Sequence, residues 1–253
     1  MRYLDFLRRL HELLRPRRYL EIGVRWGNSL SLSRCPSLAI DPDFNINHEL
    51  HAEIQLFKTT SDEYFSRPNP LRPMADEPFD LAFVDGLHLF EFALRDFIHA
   101  EQHSRPSAVI VFDDVLPRNV TEASRARATP GWTGDVYHLV GVLERYRPDI
   151  LMVQVDTAPT GLMLLLGLNP SDTTLIDNYD AIVAEYRHPD PQPVPQEVLE
   201  RTMVQPAARV LESGLFELLT AATDDVDRER LGADLRRIAV ETLGRTFEAR
   251  VAP

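Results

Sequence analysis

Two stretches decide how this chain is read. One is Phe79-Asp80-Leu81-Ala82-Phe83-Val84-Asp85-Gly86-Leu87-His88 and the other is Ala108-Val109-Ile110-Val111-Phe112-Asp113-Asp114. Each is a short, almost unbroken apolar run that ends in acid, the pattern of a strand buried on both faces of a parallel sheet. Residues 87–104 between them have the length and apolar rhythm of a helix, so the three segments read as one β-α-β unit. In an open α/β sheet the carboxyl ends of the strands form the ligand crevice. Asp85, His88, Asp113 and Asp114 are therefore expected along one sheet edge, where three carboxylates point to a hard divalent cation and metal-assisted chemistry.

Working outward, residues 18–23, 37–41 and 53–57 read as three earlier strands. Residues 149–155 and 161–168 read as two later ones joined by a tight turn through Ala158-Pro159-Thr160, a hairpin signal. Tyr3, Phe6, Leu7, Leu10, Leu13 and Leu14 fall at helical spacing before Pro16, which stops the helix. The apolar stripe of that helix is expected to pack on the sheet or on a second subunit. A loop rich in Pro, Arg and Thr follows over 116–130, then a helix over 134–146. The fold class expected is α/β, doubly wound and Rossmann-like, with a mostly parallel seven-stranded sheet that ends in an antiparallel hairpin. Beyond residue 168 helical patterns over 173–187, 197–219 and 225–243 are interrupted by Pro189, Pro191, Pro193 and Pro195. The expected division is a core over 1–168 and a helical C-terminal extension over 169–253, serving as lid, substrate-side cover or subunit contact.

A net charge of -12 over 253 residues argues against nucleic acid or an anionic membrane as the main partner. Cys35 is the sole cysteine, which rules out an internal disulfide and a thiolate metal cluster. Charge alternates with apolar residues at the N-terminus, and no apolar run reaches membrane length, so a cytoplasmic protein is expected.

The first strand runs into Glu21-Ile22-Gly23-Val24-Arg25-Trp26-Gly27-Asn28-Ser29. Glycines at a strand-to-helix turn let a ligand approach the backbone and seat it at a helix N-terminus. The spacing is Gly-x-x-x-Gly, unlike the Gly-x-Gly-x-x-Gly suited to a dinucleotide pyrophosphate, which disfavours a nicotinamide oxidoreductase. Asp41, at the end of the second strand, is placed to accept hydrogen bonds from ribose hydroxyls. Together these features indicate a nucleoside-containing ligand without a pyrophosphate.

With these residues the chain resembles the class I S-adenosylmethionine-dependent methyltransferases over roughly residues 15–168. Glu21, Gly23 and Gly27 match that family's first motif, Asp41 its ribose acid, and the hairpin its antiparallel strand. The resemblance implies that the methionine end of the cofactor lies near Gly23, Gly27 and Asn28, and the adenine near Thr60, Ser61 and Asp62; Asp85 is included among the cofactor-binding residues. A narrower resemblance is to metal-dependent sugar O-methyltransferases of the macrolide-modifying kind and to cephalosporin-hydroxylase-like proteins. It rests on Asp85-Gly86-Leu87-His88 with Glu91 and Asp96, on Asp113-Asp114, and on Trp132-Thr133-Gly134-Asp135-Val136. It implies that Asp85, Asp113 and Asp114 hold Mg2+ and that His88 is the catalytic base. The expected activity is magnesium-dependent O-methylation of a sugar or glycoside hydroxyl, as in a polysaccharide precursor or an antibiotic sugar. The alternatives are a phenolic or other small secondary-metabolite acceptor, and a non-catalytic nucleoside-binding protein. A homodimer is expected from the apolar faces of the terminal helices.

Overall fold

The computed structural model describes residues 1–248. Its strands are β1 (Tyr19–Ile22), β2 (Ser37–Ile40), β3 (Ile54–Phe57), β4 (Phe79–Val84), β5 (Ser104–Asp113), β6 (Leu151–Asp156), β7 (Leu162–Leu166) and β8 (Gln205–Pro206). Among the described residues they form one sheet in the order β3-β2-β1-β4-β5-β7-β6-β8. Strands β1 to β5 run parallel, and β7 inserts antiparallel between β5 and β6. The α/β class and the antiparallel hairpin are as the sequence implies. The sheet has eight strands where seven were expected, because two residues of the tail, Gln205 and Pro206, pair with Val155 and Asp156. Chain order reverses at β1 and β4, the switch point where an open α/β sheet offers its crevice.

Apolar layers cover both faces. On one, α3 (Phe90–Gln102) and α4 (His138–Tyr146) bury Phe90, Leu94, Phe97, Leu139 and Leu143 against Leu20, Ala82, Ile110 and Phe112. On the other, α1 (Tyr3–Leu14) buries Phe6, Leu7 and Leu10 against Tyr19, Phe83 and Val109. Each of those three side chains contributes roughly 1.5–3 kcal/mol by leaving water. The helix ends at Arg15, whose left-handed backbone (φ 45°) precedes Pro16.

Two departures from the sequence reading share one cause. No α-helix connects β1 to β2; Leu30–Leu32 form only a 3-10 turn. Gly27, Asn28, Ser29, Ser31, Ser33 and Pro36 are poor helix formers, and the expected strand-to-helix turn leads into irregular chain instead. The sheet face a helix there would cover is taken by α1 and by the last three helices, α8 (Ala207–Leu211), α9 (Leu215–Ala221) and α10 (Arg228–Thr242). Between α4 and these lie three short helices, α5 (Thr174–Asp177), α6 (Tyr179–Tyr186) and α7 (Gln196–Leu199), while α2 (Ser61–Phe65) follows β3. Val210, Leu215, Phe216, Leu231 and Leu235 of the tail are buried in the same cluster as Leu81, Phe83 and Val111. Residues 207–243 thus form a layer of the fold. The helical stretches expected over 197–219 are three short helices, divided by β8 and by Gly214 in a left-handed conformation (φ 83°).

One buried ion pair ties the two halves together. Arg147 and Glu101 are almost wholly buried and joined by two hydrogen bonds, and Glu101 also accepts from the backbone N–H of Asn169. Removing one member of such a pair strands a buried charge.

Candidate active site

The carboxyl edge of β1, β4 and β5 gathers the polar side chains that the sequence placed there. His88 lies between two carboxylates: its Nε2 is 3.1 Å from Asp85 Oδ1 and its Nδ1 is 3.2 Å from Asp114 Oδ2. Nδ1 also lies 2.9 Å from the carbonyl oxygen of Trp132. A carbonyl has no proton to give, so Nδ1 carries one and Nε2 is the atom free to gain or lose a proton. Asp114 reaches His88 from a left-handed backbone (φ 60°), a conformation that costs energy outside glycine and marks functional sites. Asp113, in register with Leu162, instead folds its Oδ1 back to accept the N–H of Asp114 at 2.8 Å. Thr160, on the hairpin turn, lies beside both acids and favours their charged forms.

Electrostatics sharpen the picture. Burial works against a charged His88, but the hydrogen bond to Asp85 and the charges of Asp114 and Asp85 win, and its pKa rises to about 9. Burial, opposed by the charge of His88 and reinforced by that of Asp85, lifts Asp114 to about 6. Asp113 is raised well above the usual carboxylate range, by burial first and then by its acidic neighbours. The cluster is a negative well in which protonated His88 supplies the compensating charge.

The fit to a divalent cation rests on the donor set. Asp85, His88 and Asp114 each offer one ligand atom, and the three atoms lie within 4.8 Å of one another. Two hard carboxylate oxygens suit Mg2+ or Mn2+, and the imidazole nitrogen favours Mn2+ somewhat more. The trio is not the Asp85, Asp113 and Asp114 set expected from the sequence. The trio shares Asp85 and Asp114 with that set, while Asp113 turns its Oδ1 to the N–H of Asp114.

The glycine loop lies directly beside this edge. Gly23 has φ 87°, and a Cβ there would stand 1.9 Å from the carbonyl oxygen of Asp85, so only glycine lets β1 pass so close to β4. Glu21 points beneath the loop and not into the crevice. It is fully buried and accepts from the hydroxyls of Tyr19 (2.6 Å) and Ser29 (2.8 Å). Asp41 accepts from the N–H groups of Val24 and Arg25 (both 2.7 Å) and of Asp43 (2.6 Å), so its carboxylate shapes the Gly23 to Gly27 loop. Asn28 accepts from the Ser31 hydroxyl through its backbone carbonyl. Ser61 opens α2 beside Asp96, a buried acid whose Oδ1 has no hydrogen-bond partner and whose pKa burial lifts to about 7. Asp62 is engaged by Arg95 through two hydrogen bonds.

A loop over residues 116–137 covers His88. The Trp132 ring stacks on the imidazole (centroids 5.0 Å, planes at 20°), and Gly134 passes so near that a Cβ would fall 1.6 Å from the His88 carbonyl oxygen. Arg125 anchors the loop by pairing with Glu91 and Asp135, and Asp135 accepts the N–H of Phe90 at the start of α3. Asp135 and Glu91 are thereby committed to structure. Tyr137 and His138 pack with Phe90 and Tyr186, away from the acidic cluster, and His99 and His103 stack on Phe65. Thr160 was missed in the sequence, where a turn threonine carries no spacing that links it to His88; the Trp132 segment was grouped with His88 by resemblance, but its stack on the imidazole was not foreseen.

Comparison with known proteins bears on the same edge. Residues 20–115 match the family model described as a methyltransferase domain. The matched segment holds the glycine loop, Asp41, Asp85, His88 and both strand-end acids, and it supports the class I methyltransferase resemblance seen in the sequence. No curated protein matches the chain. Among solved structures, it is similar to the O-methyltransferase TomG from Streptomyces achromogenes, in complex with SAM, at 23% identity over 64% of this chain and 78% of that one, TM-score 0.46. An O-methyltransferase from Bacillus cereus in complex with SAH is similar at 17% identity over 64% and 80%, TM-score 0.45. MycE methyltransferase from the mycinamycin pathway, in complex with Mg, SAH and mycinamycin VI, is similar at 19% identity over 61% and 46%, TM-score 0.40. Among the described residues no helix is long and apolar enough to cross a membrane.

Proposed function

We propose that this protein is an S-adenosylmethionine-dependent O-methyltransferase that requires a divalent cation and acts on a hydroxyl of a sugar or glycoside. The observation that carries the reading is the placement of His88 between Asp85 and Asp114, at the strand ends beside the Gly23 loop. Asp85 and Asp114 would hold the cation, which would supply Lewis-acid orientation of the acceptor hydroxyl and stabilise the charge it develops. The donor sulfonium is already activated, so the residues of the chain must act on the acceptor. Trp132 holds the imidazole by its carbonyl and its ring, and a cation that neutralises Asp85 and Asp114 would remove the support for a charged His88 and free Nε2 to take the hydroxyl proton. The methyl group passes from sulfur to oxygen, with the C–S electron pair staying on sulfur. The Gly23 loop and the covering segment over 116–137 confine donor and acceptor so that oxygen, carbon and sulfur align, which supplies several kcal/mol by proximity.

The sugar branch of the reading draws on the grouping of Asp85-Gly86-Leu87-His88, Asp113-Asp114 and the Trp132 segment. The core with its tail is proposed to act as one catalytic unit, and a dimer in the cytoplasm is proposed as its working form. Transfer of labelled methyl from S-adenosylmethionine to a panel of glycosides and phenols, with Mg2+ or Mn2+ and with chelator, tests the proposal. Cation-dependent labelling of glycosides is expected; labelling confined to phenols would refute the sugar assignment, and labelling unaffected by chelation would refute the cation.

A further inference from the structure

We propose that the cavity between α4, β6 and the segment over 195–203 is a binding site for one neutral sugar ring, separate from the acidic edge. Such a site needs neither the methyl donor nor the cation.

The cavity has a volume of about 340 Å³, at the lower end of the range for small-molecule sites. Tyr137 and Gly141 line it on the α4 side, Val198 and Met203 on the other, and Gln154 from β6. The Tyr186 ring lies across Gly141, where a Cβ would stand 3.4 Å from its Cε1. Side chains alternate along β6: Leu151, Val153 and Val155 pack into one apolar cluster, so Met152 and Gln154 turn to the opposite sheet face, toward α4. Gln154 stands in register with Met163, and Met163 with Phe112, both buried apolar residues of that face. A glutamine thus ends an apolar row of the sheet. Two strand spacings, roughly 10 Å, separate it from Phe112, the residue before Asp113, so the cavity is set to one side of the acidic edge.

Two buried polar groups meet this space unpaired. Gln154 is 9% exposed, and its amide has no hydrogen-bond partner among the described residues. His138 is 8% exposed, and its Nε2 lies 3.3 Å from Gln192 Oε1. The Gln192 amide nitrogen donates to the His188 carbonyl and to Asp190, so Oε1 is an acceptor and the proton sits on Nε2 of His138. Burial lowers the pKa of His138 to about 4, which keeps the ring neutral and leaves Nδ1 a bare acceptor. Both residues line the cavity, and neither free atom is sealed off. An amide held out of bulk water without a partner costs free energy that a hydrogen-bonding ligand would recover.

The lining selects the chemistry of that ligand. Among the described residues no lysine or arginine borders the cavity, whereas Glu144 and Glu197 do, which disfavours an anion. Nδ1 of His138 takes only a donor, while the Gln154 amide both donates and accepts; hydroxyl groups satisfy the two together because each does both. Tyr137 and Tyr186 offer ring surface to the C–H face of a sugar. A neutral hydroxylated ring matches all of these features.

The test is saturation-transfer NMR titration of the full chain, in chelator and without donor, with the methyl α-glycosides of glucose, mannose and galactose and with glucose 6-phosphate. Saturable millimolar binding of at least one neutral glycoside is expected, and weaker or no binding of the phosphate. Gln154→Leu, which completes the apolar row, should weaken the bound glycoside roughly five- to twentyfold. Met203→Trp, which fills the cavity from its half-buried side, should abolish binding and carries the comparison if Gln154→Leu does not fold, with the thermal midpoint as the check. Asp114→Asn should bind the glycoside as wild type does. Absence of binding by all three glycosides, tighter binding of the phosphate, wild-type binding in both cavity variants, or loss of binding in Asp114→Asn would each overturn the site. None of these results depends on whether the chain binds S-adenosylmethionine.

Discussion

Replacing Glu21 by glutamine should stabilise the protein, by an amount that grows with pH. The carboxyl is fully buried beneath the glycine loop, and burial pushes it up to about 8 from an ordinary 4.5, against the pull of hydrogen bonds from Tyr19 and Ser29. A carboxyl raised in the folded state holds its proton natively and releases it on unfolding. Its contribution is fully present below pH 4.5, declines as pH rises, and is lost once pH passes 8. At 1.36 kcal/mol per unit, the decline between pH 4.5 and 7 amounts to about 3 kcal/mol, and to about 5 kcal/mol by pH 9. Glutamine does not titrate. Its carbonyl can accept from Tyr19, while its amide donates to a reoriented Ser29 hydroxyl at a cost of about 1 kcal/mol. The variant should then be about equal to wild type at pH 5, more stable by about 2 kcal/mol at pH 7 and by about 4 kcal/mol at pH 9. Urea unfolding of both proteins at those three pH values measures it. A difference independent of pH would refute the claim that Glu21 keeps its proton in the native protein.

Three further outcomes follow from the same edge. Gly23→Ala places a methyl group 1.9 Å from the Asp85 carbonyl oxygen at φ 87°, so a loss of roughly 2–5 kcal/mol and of donor binding is expected; a thermal midpoint near wild type would contradict it. Protons on His88, raised to about 9, and on Asp114, raised to about 6, compete with a cation, so Mn2+ affinity should climb steadily between pH 6 and 8. Asp114→Asn should abolish most of that affinity, and Mn2+ titration followed by paramagnetic resonance would show a flat pH profile if these residues do not bind the metal.

Legibility in the sequence followed the physics of each element. Strands β4 and β5 are buried on both faces, so their apolar runs announced them, and the acids that end them announced the edge. The hairpin of β6 and β7 was visible through its turn at Ala158-Pro159-Thr160. Strand β8 was not, because two residues have no periodicity to show. The missing helix after β1 was misjudged: the glycine pair suggested a turn into a helix, while the serines and Pro36 that follow disfavour one. Helices α8 to α10 had readable apolar stripes, but a stripe does not say what it packs against, and only the fold shows that they replace the missing cover of the sheet. In the site, Asp85, His88 and Asp114 were correctly brought to one place. The different directions taken by Asp113 and Asp114 depend on one left-handed backbone at Asp114, which no sequence pattern announces.

Methyl transfer requires that the donor bind at the Gly23 loop. Calorimetric titration of the purified protein with S-adenosylmethionine, in Mg2+ and again after chelation, is predicted to show saturable binding of one molecule per chain in both buffers. Absence of binding in either buffer would contradict the methyltransferase reading and leave the acidic edge in need of another ligand.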